Sequence, residues 1–140
     1  MTNAPAKSGY SATPLVRKLG VLTAHGGVGD VSLVGEPEGF RELLGELPPS
    51  VRLRSRMQPS TNLALCFVRS RAELDAMIDL IDAQLPRTAH VWIVHPKAHC
   101  KPDFNQNDVR ERGLARGLVD YKVCAVDAGW SGLKFAWRKA

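Results

Sequence analysis

The chain has 140 residues, 44% hydrophobic and 24% charged, with a net charge of +5. That length suits one domain able to bury roughly two-thirds of its unfolded surface, and no apolar run approaches the ~20 residues of a membrane-spanning helix. The first residues lack the apolar core of a signal peptide, which predicts a cytoplasmic protein.

The three cysteines show no C-x-x-C spacing. Cys66 and Cys124 fall inside apolar runs and read as small buried thiols, whereas Cys100 lies in a polar loop and is the accessible one. The basic residues are scattered. Their densest cluster, Arg52, Arg54 and Arg56, alternates along a strand with no interleaved aromatics, so it reads as a solvated strand face and disfavours nucleic-acid binding.

In chain order, residues 1–12 are small and polar and are expected to be disordered, leaving 13–140 as a single domain. Thr13 and Pro14 suit the cap and first position of a short helix, Pro14–Leu19, which Gly20 stops. Residues 21–29 read as a loop. Its glycines precede the first strand and so are not a phosphate loop. Asp30–Val34 is that strand, followed by Gly35-Glu36-Pro37-Glu38-Gly39 and a short helix, Glu38–Leu44. Val51–Arg54 alternates and reads as an edge strand.

Leu63–Val68 and Ala89–His95 are apolar throughout, as strands covered on both faces are. Between them Ser70-x-x-Glu73 is a capping box. It opens a helix, Arg71–Gln84, with a core stripe of Leu74, Met77, Ile78 and Ile81. Glu73, Asp75, Asp79 and Asp82 lie largely off that stripe and read as a solvated face. Asn107–Arg116 is a helix weakened by Gly113. Tyr121–Asp127 and Leu133–Arg138 form a hairpin across a five-residue connection.

This order predicts an α/β fold: a single Rossmann-like three-layer domain with a mostly parallel six-stranded sheet and a C-terminal antiparallel hairpin.

The opening Tyr10-Ser11-x-Thr13-Pro14-Leu15-x-x-Lys18-Leu19-Gly20, the Pro96-Lys97 pair and the closing Val123-Cys124-Ala125-Val126-Asp127-x-x-Trp130-Ser131-Gly132-Leu133-Lys134-Phe135 resemble a family of small bacterial proteins, catalogued as domain of unknown function 3052. Pro37-Glu38-Gly39-Phe40 fits the same pattern. The strand order is also similar to a shortened class I methyltransferase, and that likeness implies a sheet order of 2-1-3-4-6-5, with the strands numbered along the chain. Against that likeness, the glycine loop is absent at 35–40. Arg54-Ser55-Arg56 stands where an acidic residue would hold a ribose.

Ligands of open α/β sheets bind where the strand order switches direction. Glu36, Glu38, Ser70, Arg71 and Lys97 are therefore the expected ligand-binding residues, suited to a small polar ligand. No cofactor is expected. His95, His99 and Cys100 gather potential metal ligands but lack a second group at metal-site spacing, so no metal is expected. Trp130 and Ser131 sit at the hairpin tip, where a tryptophan either folds back onto the core or marks a contact surface, and they are the expected interface residues of a homodimer. The function expected from these residues is a non-enzymatic binding or interaction module. The alternative is a small-molecule enzyme or a degenerate S-adenosylmethionine-dependent methyltransferase-like protein.

Overall fold

The computed structural model describes residues 14–139. The expected tail at 1–12 and the Thr13 cap lie outside those residues. The elements run α1 (Leu15–Lys18), β1 (Leu22–Thr23), β2 (Gly26–Gly27), β3 (Gly29–Val34), α2 (Phe40–Leu44), β4 (Val51–Arg54), β5 (Leu63–Phe67), α3 (Arg71–Gln84), β6 (His90–Pro96), α4 (Gln106–Ala115), β7 (Leu118–Ala125) and β8 (Trp130–Trp137).

Six strands form one sheet in the order β4-β3-β5-β6-β8-β7. The first four are parallel, and the tail hairpin closes the sheet antiparallel. The expected order and fold class are therefore the observed ones. The residues at 21–29, expected to be a loop, instead form the small antiparallel hairpin β1–β2. The tail strands start earlier than their apolar alternation suggested, and only residues 126–129 connect them. The Asp127 carboxylate tightens this turn by accepting from the Gly129 and Trp130 amides at 2.8 and 2.9 Å. Trp130 and Ser131 thereby join the sheet.

The strands' apolar faces divide the core in two. On one side α3 and α4 cover Ala64, Cys66, Val91, Ile93, Leu133 and Phe135. On the other, α1 and α2 cover Val31, Leu33, Leu65, Trp92 and Val94. Every residue of β5 is buried, which is why its sequence is apolar without alternation.

The charges are more engaged than their spacing suggested. Asp30 is 1% exposed at the start of β3. Its carboxylate accepts from the Ser60 hydroxyl at 2.5 Å, Arg52 Nε at 2.7 Å and Arg54 Nε at 3.4 Å. These partners, Ser60 foremost, hold the carboxyl below the usual range despite its burial. Two of the three alternating arginines thus neutralise a buried acid at the sheet edge rather than facing only water.

The acidic row of α3 clasps α4: Asp75 accepts from Arg112 at 2.6 Å, and Asp79 and Asp82 both accept from Arg116. A further constraint sets the distance between α4 and the sheet. A Cβ on Gly113 would stand 2.6 Å from the Phe135 ring, which is itself fully buried. Glycine in a helix interior ordinarily costs ~1 kcal/mol relative to alanine. Here the sign should reverse. Gly113→Ala is expected to lower stability by about 1–3 kcal/mol through overpacking, read as a lower denaturant midpoint. An unchanged or higher midpoint would refute the close approach.

Candidate functional site

The C-terminal ends of the parallel strands carry two different environments. The first is the switch point between β3 and β5. The turn after β3 is built from Gly35 and Gly39 in left-handed conformations, φ 73° and 87°, but it does not present a row of amides. Pro37 has no N–H, and Glu36 accepts from Arg41 Nε at 3.1 Å. Arg69 reaches across from the end of β5 and donates to the Gly35 carbonyl at 2.9 Å. Its guanidinium lies over the Trp130 ring, 5.4 Å from the centroid.

Beneath, three rings meet edge to face, Phe40 on Phe67 at 4.8 Å and Phe67 on Trp130 at 5.4 Å. The hairpin-tip tryptophan, expected at an interface, is half-buried and folds back onto the core. The hollow over Glu36–Glu42 is open, about 300 Å3, and holds three carboxylates against Arg41.

The five expected ligand residues divide among separate contacts. Glu36 pairs with Arg41 and Glu38 lines the same open hollow. The Ser70 hydroxyl caps α3 by accepting from the Glu73 amide at 3.1 Å. Arg71 turns to the loop before α4, donating to the Asp103 carbonyl at 2.8 Å and pairing with Asp108 at 3.6 Å. Lys97 sits past β6. Helix capping and local ion pairs thus use most of the polarity that sequence position had gathered at this point.

The second environment surrounds Lys97. Pairing of β6 with β8 runs to Pro96 opposite Trp130, and the Lys97 amide then donates to the Gly129 carbonyl at 2.9 Å. This tie leaves Lys97 in the lining of two cavities. One, about 450 Å3, lies among His95, Pro96, Lys97, Phe104, Asn105 and Ser131. The other, about 310 Å3, is lined by Lys18, Lys97 and Ala125–Ala128.

His95 is a potential metal ligand by residue type, and no group of three metal-ligating side chains occurs among the described residues. Its structural position is more telling. The side chain is 4% exposed, opposite Ser131 and edge-on to Phe104. Nδ1 lies 3.1 Å from the Pro96 carbonyl, which only accepts, so Nδ1 carries the proton and Nε2 the lone pair. That Nε2 is the one buried side-chain polar atom without a partner among the described residues. Burial pulls the imidazole below its usual range and keeps it neutral. A buried acceptor beside a cavity of ligand size is what a bound hydrogen-bond donor would satisfy. What sequence could not show is that Phe104, Asn105 and Ser131 line one cavity with His95.

No family model and no curated protein matches the chain. Solved structures do. The chain is similar to a TehB-like S-adenosylmethionine-dependent methyltransferase from Corynebacterium glutamicum at 11% identity and a TM-score of 0.54, covering 93% of this chain and 90% of that one. It is similar to an S-adenosylmethionine-dependent methyltransferase from Aquifex aeolicus at 13% identity and 0.54, covering 86% of each. With the mitomycin 7-O-methyltransferase MmcR the identity is 9% and the TM-score 0.62, over 88% of this chain and 53% of that enzyme. These likenesses show a methyltransferase-like fold. The cofactor that fold implies does not fit the residues present. The turn after β3 offers a proline and carboxylates, Arg69 covers the Gly35 carbonyl, and Arg54-Ser55-Arg56 follows the second strand of the large sheet.

A neutral buried histidine makes stability depend on acid. Its folded pKa lies below the unfolded value near 6.5. Its contribution is therefore whole above that pH and is lost as pH falls towards the folded value. Tm of the native protein should decline between pH 7.5 and 5 more steeply than Tm of His95→Gln. His90, also lowered, is common to both proteins and cancels. Parallel curves would contradict the buried neutral state.

Proposed function

We propose that this protein is a degenerate methyltransferase-like domain. In this reading it takes a small polar ligand beside His95 in place of an adenosyl cofactor at the switch point. The observation that carries the reading is the unpartnered, buried Nε2 of His95 at the end of β6. Such an atom costs ~1–3 kcal/mol while unsatisfied. A ligand hydroxyl or amine donating to it would recover that energy.

Ser131 and the Asn105 side of the cavity add polar partners, while Phe104 and the two prolines supply an apolar wall. The cavity volume lies within the ordinary range for small-molecule sites. The same lone pair suits a general base, so a small-molecule enzyme is compatible with the site. A fold shared with S-adenosylmethionine-dependent methyltransferases makes methyl transfer the competing reading, and the proline and carboxylates of the turn after β3 stand against it.

The proposal separates cleanly by thermal shift. S-adenosylmethionine and S-adenosylhomocysteine should leave Tm unchanged. A panel of sugars, hydroxy acids and amino alcohols should contain a binder that stabilises the protein, by ~2.7 kcal/mol at 100 times its Kd. That stabilisation should vanish in His95→Phe. A shift with either adenosyl compound, or a binder indifferent to His95→Phe, would overturn the reading.

Self-association is the second reading, favoured by β7. This outer strand exposes Val119, Tyr121 and Val123 at 37%, 52% and 55%. An outer strand with unpaired backbone groups is a template for pairing with a second copy. Light scattering should give a dimer mass for the native chain and a monomer mass for Val123→Glu. A native monomer at micromolar concentration would end this reading.

A further inference from the structure

The smaller cavity at the end of β6 has an electrostatic character that the reading above does not use. Lys18 and Lys97 line it from α1 and from the segment after β6, and both side chains are half-buried. Among the described residues every ion pair uses arginine, so neither ammonium group has a carboxylate partner.

Lys134, also half-buried on this side of the sheet, differs. Its Nζ lies over the Trp92 and Tyr121 rings at 5.5 and 5.7 Å. Lys18 and Lys97 have no such face. The one acid in the lining, Asp127, commits Oδ1 to the Gly129 and Trp130 amides and leaves Oδ2 without a described partner. Two ammonium groups lining one cavity attract an anion of matching charge. Lys122 adds to the positive field, since it and Lys18 both act on the Cys124 thiol.

We propose that this cavity binds a small dianion, a phosphate monoester or a dicarboxylate, held between the Lys18 and Lys97 ammonium groups. The free Oδ2 of Asp127 accepts a hydroxyl of the same ligand. Two lysines act as point charges and match either kind of dianion. The cavity's 310 Å3 limits the ligand to a few carbons beyond the anionic group. The site is distinct from the His95 cavity on the opposite side of Lys97, and neither proposal requires the other.

The test titrates inorganic phosphate, glycerol phosphate and succinate into the full chain by calorimetry, with sodium chloride holding ionic strength constant. Saturable binding is expected for at least one of the three. It should weaken about tenfold or more in Lys18→Gln and in Lys97→Gln, and stay unchanged in Lys101→Gln. Binding of the phosphates alone assigns the phosphate class, and of succinate alone the dicarboxylate class. Tighter binding of glycerol phosphate than inorganic phosphate, abolished in Asp127→Asn, supports the hydroxyl contact. No saturable binding beyond the chloride control, or equal weakening in Lys18→Gln and Lys101→Gln, overturns the proposal.

Discussion

Trp92 is the point on which one whole side of this molecule depends. It is fully buried in the middle of β6, and its indole N–H donates to the Leu19 carbonyl at 2.8 Å. A buried indole needs an acceptor. Here the acceptor is the end of α1, so a four-residue helix too short to persist alone is fastened to the sheet. Gly132 on β8 is constrained by the same ring, because a Cβ there would stand 2.9 Å from it. Lys134 crosses above, next to Gly20. Segments far apart in sequence, Leu19-Gly20 and Gly132-Leu133-Lys134, are thus fitted around one side chain. Lys18 and the end of the tail hairpin come together as a result.

The opposite side is held differently. There the sheet is covered by α3 and α4, whose helix–helix seam is ionic and whose inner face is apolar. Exposed pairs of this kind each contribute little. Their geometry still fixes how α4 lies, because α4 itself buries only Val109 and Gly113. Phe135 against Gly113 then sets its height. This is a thin layer, and it explains how a sequence of low apolar content from 106 to 115 folds as a helix at all. The capping box between Asn105 and Asp108 supplies the remainder at its start.

The parts of the fold readable from sequence were those governed by local or one-dimensional rules. The unbroken apolar runs at 63–68 and 89–95 mark covered parallel strands. Ser70 and Glu73 mark a helix start, and strand–helix alternation marks the α/β class, while the sheet order follows from the likeness to a methyltransferase fold. What escaped depends on contacts across the chain. Asp30 resembles any residue at a strand's beginning until Arg52, Arg54 and Ser60 converge on it. Arg71 falls at the expected end of the sheet, yet its turn toward Asp103 occupies it. From sequence a hairpin-tip Trp130 either folds back onto the core or marks a contact surface, and the arrangement of Phe67 and Arg69 gives it a bed. His95 closes an apolar run, and that Phe104 and Ser131 line a cavity with it is a contact across the chain.

The thiols carry one practical consequence. Cys66 is buried, its pKa pushed up to about 12 by desolvation, and Cys124 is buried beside β8. Since the thiolate is the reactive form, both are poor targets for electrophiles near neutral pH. Cys100 is exposed, with its sulfur 3.9 Å from the Gly129 carbonyl at the hairpin turn. A maleimide fluorophore added to the unaltered protein should therefore label one position, beside the turn tied to Lys97, the residue that both cavities share. The chain comes with its own attachment point for a reporter of what enters them.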